Sequence, residues 1–225
     1  MLILSFISII ISMINNSHYR LYGRTKGRKN NKNNISFLRI KLINIDHNKY
    51  NILDIGSGFG ESTIKIAKKD KKKIVICCEK YIDGLNNLFK EVQKEQLDNV
   101  YIYQGNVYQM LDEYCSKNSL SEVWILFPDP WPKKKHFKRR LIDKYFFHKI
   151  KTYLKYGSTI NIASDSQSYI SQILRTIYEV KADFLWVNQS KSEWEYDSGI
   201  LPETKYYKKA LKNGLKPFYV KLEKL

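Results

Sequence analysis

Short apolar runs alternate with stretches of helical periodicity along most of this chain. Residues 51–55 form an apolar run that ends in glycines, and residues 61–69 carry Ile64, Ile66 and Ala67 on one helical face. Residues 74–78 make the next strand, and residues 83–95 set Leu85, Leu88, Phe89 and Val92 at helical spacing. A strand at 100–103, a helix at 107–114 and a strongly apolar strand at 123–127 follow. The pattern then predicts a helix from about 139 to 154, a strand at 159–163, a helix at 168–180, and strands at 184–187 and 218–222. Strands that are apolar throughout, rather than alternating, belong to a sheet covered on both faces. Alternation with helices makes that sheet mostly parallel, so the expected fold class is a doubly wound α/β domain.

The first 34 residues break this rhythm. Residues 1–14 are uncharged and apolar, but they lack the basic start and small-residue cleavage site of a secretory signal. They also fall short of the roughly 20 residues that span a bilayer. We read them as an extension or a mis-set start, with Met13 as the alternative beginning, and expect no stable membrane association. Arg20, Arg24, Lys26, Arg28, Lys29 and Lys32 come next without apolar periodicity and read as a basic arm. The expected division is 1–34 for extension and arm, and 35–225 for the α/β domain.

A formal charge of +17 points to a polyanionic partner. Cys77, Cys78 and Cys115 have no disulfide or zinc spacing, and the first two lie inside a buried strand. Buried small hydrophobes in a reducing compartment are the simplest account.

In an open α/β sheet ligands gather beyond the carboxyl ends of the strands. The first strand ends Asp54-Ile55-Gly56-Ser57-Gly58-Phe59-Gly60-Glu61, a G-x-G-x-G loop rather than the G-x-G-x-x-G of diphosphate binding. Glu61 at a helix start opposes a diphosphate and suits a ligand with a cationic group. Glu79, ending the second strand, is placed to accept hydrogen bonds from ribose hydroxyls, and Asn106, after the third, to meet adenine. Ribose, adenine and a cationic tail without phosphate describe S-adenosylmethionine. A plain glycine-rich turn is the competing account, and a nicotinamide oxidoreductase is disfavoured by Glu61.

The fourth strand runs into Phe127-Pro128-Asp129-Pro130-Trp131-Pro132, where three prolines stiffen the backbone around one acid. Six of the next eight residues, Lys133 to Arg140, are Lys or Arg, a run suited to phosphate. From Phe127 through Leu141 the chain matches F-P-D-P-W-x-K-x-x-H-x-K-R-R-L, and here it resembles the tRNA (guanine-N7-)-methyltransferase family. The glycine loop matches too, with Asp54 where many members have Glu and Asn106 where they usually have Asp. Ser164-Asp165 and Thr204-Lys205-Tyr206 also agree, whereas Tyr207 stands where the family has Glu.

That resemblance implies a Rossmann-like class I methyltransferase that methylates N7 of a guanine in the tRNA variable loop, at tRNA position 46. It assigns S-adenosylmethionine to Asp54, Gly56, Gly58, Gly60, Glu79, Asn106 and Asp129, with no metal expected. Asp129 is the expected catalytic carboxylate. Lys133, His136, Arg139, Arg140, Asp165, Thr204, Lys205 and Tyr207 are the expected substrate contacts. Asp165 reads equally as a helix N-cap, and Trp131 as a base-stacking ring or as cleft wall. Two rivals are a D/N-P-P-Y-type enzyme acting on exocyclic amines, for which the prolines fall in the wrong order, and a non-catalytic RNA-binding subunit. A monomer or weak homodimer in the cytoplasm is expected, or in an organelle if the apolar start is a targeting remnant.

Overall fold

A computed structural model describes residues 22–23, 48–195 and 201–225. The apolar start, the basic arm apart from Tyr22 and Gly23, and the expected boundary at 34/35 lie outside the described residues.

The described chain builds β1 (Asn51–Ile55), α1 (Glu61–Lys69), β2 (Ile74–Glu79), α2 (Ile82–Lys94), β3 (Val100–Gln104), α3 (Val107–Tyr114) and β4 (Leu120–Leu126). After a 3-10 helix at Lys134–Arg139 come α4 (Lys144–Lys151), β5 (Leu154–Ser164), α5 (Gln167–Glu179), β6 (Phe184–Trp186), α6 (Lys205–Lys212) and β7 (Phe218–Lys224). Among the described residues they form a seven-stranded sheet in the order β3-β2-β1-β4-β5-β7-β6. The first five strands pair in parallel, while β7 lies antiparallel between β5 and β6. The expected doubly wound, mostly parallel sheet is therefore what folds.

Its two faces bury alternate residues of the same strands, which explains why the strands read as unbroken apolar runs. Leu53, Ile76, Val123 and Ile162 pack on one side with Met110 of α3, Phe146 and Phe147 of α4 and Ile173 of α5. Ile52, Val75, Ile102 and Trp124 pack on the other with Ala67 of α1, Leu85 and Leu88 of α2 and Tyr207 of α6.

The long helix expected at 139–154 is a correction. Residues 134–139 make a 3-10 helix instead, and Arg140 is extended (φ −65°, ψ 135°). Helix α4 starts only where Asp143 accepts a hydrogen bond from the Phe146 N–H. At the far end Leu154 leaves the helix for β5, where it pairs with Leu120. The apolar positions of this stretch serve two elements, and periodicity alone ran them together.

Candidate active site

Beyond the carboxyl ends of β1 to β4, where the strand order reverses between β1 and β4, lies a cavity of about 660 Å³. Gly56 and Gly58 form part of its wall, with Glu79, Asn106, Asp129, Trp131, Arg139 and Lys205. Glu79 organises this end: its carboxylate accepts the Gly58 N–H (2.9 Å) through one oxygen, and the Lys80 and Tyr81 N–H groups (2.6 and 2.9 Å) through the other. A carboxylate offers about four acceptor positions, so room is left for a ligand hydroxyl. Asn106 caps α3, its Oδ1 accepting the Tyr108 N–H at 2.8 Å, so the amide serves the helix while it lines the cavity.

Asp54 and Gly60 fall outside the wall. Asp54 is fully buried beneath the glycine loop and accepts the hydroxyls of Ser62 and Thr63, each at 2.7 Å. Burial raises its pKa to about 6, against the opposing pull of those hydroxyls. Gly60 is the N-cap of α1 and lies against Leu88 of α2.

The acidic loop is held under strain. Phe127 and Trp131 both have positive φ (53° and 42°), and both precede prolines, whose rings favour extended conformations in the preceding residue. Each such residue stores about 1–3 kcal/mol, so something must hold the loop in place. Arg140 does so. It is 3% exposed and donates to the carbonyls of Pro130 (2.8 Å) and Ser168 (3.0 Å), to the Gln172 side-chain oxygen and to the Ser168 hydroxyl. Its guanidinium lies 3.7 Å from the Phe137 ring centroid. Arg140 is also part of the cavity wall, with most of its donors committed to these partners. Between the two strained residues Asp129 projects outward, its side chain 63% exposed.

Residues 48–220 match the family described as "Putative methyltransferase". The tRNA (guanine-N(7)-)-methyltransferase of Buchnera aphidicola is 37% identical over 175 residues, covering 77% of this chain and 71% of that protein. The enzyme of the same name from Neorickettsia sennetsu is 34% identical over 167 residues, covering 72% and 76%. This chain belongs to the tRNA (guanine-N(7)-)-methyltransferase family. Among solved structures, an rRNA methylase from Streptococcus thermophilus superposes with a TM-score of 0.53 at 15% identity, covering 92% of this chain and 99% of that one, a likeness of fold.

Within this methyltransferase the expected substrate contacts are dispersed. Lys133, Lys134 and Lys135 are exposed around the 3-10 helix outside the cavity wall, whereas Lys138 and Arg139 line the wall itself. Arg139 places its guanidinium 5.0 Å from the Trp131 ring centroid and 5.4 Å from that of Tyr22. His136 meets Trp131 edge-on, and its pKa is lowered by desolvation and by the cations Arg139, Lys135, Lys133 and Lys138. Asp165 lies at the end of β5, off the cavity wall; Ser166, not Asp165, is the N-cap of α5. Thr204 is buried and caps α6, its hydroxyl accepting the Tyr207 N–H.

Two readings of the last motif change. Tyr207 turns into the hydrophobic core, whereas its neighbour Tyr206 lines the cavity. Glu61 accepts the Lys205 N–H at 2.9 Å and leaves the wall to Lys205, whose ammonium sits 3.4 Å from the Phe59 ring centroid. The group at the mouth of the glycine loop is thus a cation rather than the expected carboxylate, and burial lowers its pKa. Tyr22, Phe59, Tyr81, Tyr108, Tyr145 and Tyr206 also line the wall. Sequence reasoning missed their role because they carry no spacing of their own, even where, like Phe59 and Tyr206, they lie within a motif.

The cavity suits a nucleoside with an apolar flank. Gly56 leaves open space where a side chain would stand, Glu79 keeps acceptor capacity, and tyrosines surround both. Among the described residues no cluster of His, Cys, Asp and Glu could hold a metal ion, and no helix is long and apolar enough to cross a membrane.

Proposed function

We propose that the protein transfers a methyl group from S-adenosylmethionine to N7 of a guanine in tRNA, at position 46 of the variable loop. The observation that carries this reading is the exposed Asp129, held between two strained residues at the rim of the cavity that the glycine loop, Glu79 and Asn106 line. Membership of the family supports it.

When bound, S-adenosylmethionine supplies an electrophilic methyl on a sulfonium. Gly56 and Gly58 admit it close to the backbone, Glu79 accepts its ribose hydroxyls, Asn106 faces the adenine, and Lys205 at the loop mouth meets its carboxylate. Guanine N7 offers a lone pair and carries no proton, so the nucleophile needs no general base. Asp129 accepts hydrogen bonds from guanine N1–H and the N2 amine and offsets the positive charge that grows on the ring. Orientation then supplies most of the rate, which is the reason for a rigid loop. Lys133, Lys134, Lys135 and Lys138 bind the tRNA backbone, and Arg140 serves by anchoring the loop.

Incubation with labelled S-adenosylmethionine and unmodified tRNA, followed by nucleoside mapping, tests the proposal. N7-methylguanine is expected; label on another base, or none despite bound cofactor, overturns it. Asp129→Ala should lower kcat at least about 100-fold, as loss of a charge-stabilising group does, while cofactor affinity holds. Unaltered turnover would remove Asp129 from its role.

A further inference from the structure

Lys80 touches both ends of the cavity. Its backbone N–H is held by Glu79, at the cofactor end. Its ammonium lies 3.7 Å from the Asp129 carboxylate and donates to the carbonyl of Tyr22. The side chain is 22% exposed, so the ion pair is partly shielded. Tyr22 in turn lines the cavity and meets Trp131 edge-on at 6.5 Å, with the Arg139 guanidinium over its ring.

Gly23 shows how closely this segment is seated. Its φ is +90°, and a Cβ there would fall 2.7 Å from the Lys80 ammonium and 3.0 Å from the Asp129 carboxylate. Any side chain would push the segment away from both groups, and the backbone conformation itself favours glycine. A residue more than a hundred positions away in sequence is thus packed directly on the expected catalytic carboxylate.

We propose that Lys80 is a positioning residue: its ammonium latches the Tyr22–Gly23 segment against Asp129, so that Tyr22 supplies part of the wall of the methyl-transfer cavity and Asp129 is held at one orientation. The proposal rests on the function given above for Asp129. A single partly exposed ion pair adds little to stability, so the consequence of the latch is geometric. With the carbonyl and the carboxylate on one cation, the exposed Asp129 loses rotational freedom and the tyrosine ring closes the site toward water.

The test uses the full chain with Lys80→Met, Lys80→Arg, Gly23→Ala and the Lys80→Met/Gly23→Ala pair. Lys80→Met should lower kcat for tRNA about tenfold or more, in line with the sensitivity of transfer reactions to small misplacements, with cofactor affinity and thermal unfolding unchanged. Lys80→Arg should restore most of the loss. Gly23→Ala should reproduce it, and the double variant should be no worse than either single one, because both remove the same contact. Hydrogen–deuterium exchange across Tyr22–Gly23 should quicken in Lys80→Met. Unchanged exchange, or losses that multiply in the double variant, overturn the latch. Faster exchange with unchanged kcat overturns the positioning role. Faster exchange in a protein whose unaltered form methylates no guanine supports the latch and overturns the functional reading instead.

Discussion

Burial leaves Asp54 as a carboxyl whose pKa is raised from 3.8 to about 6 in the folded chain. A raised value means that the folded state holds a proton more firmly than the unfolded state. Stability from this group is therefore complete below about pH 3.8 and is lost as pH rises through about 6. Denaturant unfolding between pH 4 and 7 should show the wild type losing stability across this window, by at most ~1.4 kcal/mol per pH unit. Asp54→Asn should lack that component of the slope, and equal slopes in the two proteins would refute the assignment. At the same scale Arg139 and Arg140, adjacent and alike in sequence, have different fates. Both line the cavity, but Arg139 lies over the rings of Tyr22 and Trp131, while Arg140 is buried and bonded to the backbone of the acidic loop. The motif that revealed both carries no sign of which one faces inward, because that depends on where α5 brings Ser168 and Gln172.

Among elements, the crossing of α2 over the glycine loop decides how far the loop can approach a ligand. Gly84 in the first turn of α2 sits so close that a Cβ would fall 2.1 Å from the Gly58 carbonyl oxygen. Gly84→Ala should thus displace the loop, weaken S-adenosylmethionine binding measurably in a titration, and destabilise the fold by about 1–3 kcal/mol, as overpacking does. Unchanged cofactor affinity would show that the loop does not depend on this contact. Nothing in the helical pattern marks the glycine at 84, since periodicity reports which face is apolar and not how near a second backbone lies. The same limit explains the misplaced helix before β5. Ile150 of α4 and Leu154 of β5 stand four residues apart, at helical spacing, and only the Asp143 cap and the pairing of Leu154 with Leu120 mark the true bounds.

Across the whole molecule the charge of +17 is distributed unevenly. Lys133 and the lysines of the 3-10 helix, Lys134, Lys135 and Lys138, stand at or near the cavity mouth and remain exposed. If they hold phosphates, tRNA affinity falls linearly in log–log terms with added salt, through counterion release. Replacing Lys134 and Lys135 by Gln should lower that slope by about 1 for each lysine, with the choice of guanine unaffected. A slope that does not move would place the tRNA on another face.

Local chemistry along the sequence determined the layered α/β architecture, the loops that carry chemistry and the family, because strand periodicity and a fifteen-residue motif are properties of neighbours in the chain. The tertiary structure alone decided which members of those motifs meet the cavity. Tyr206 rather than Tyr207, Lys205 rather than Glu61, and Lys80 with Tyr22 beside Asp129 are set by how helices cross the sheet and by which distant backbone groups each side chain reaches. Those contacts join residues far apart in sequence, and spacing within a motif carries no information about them.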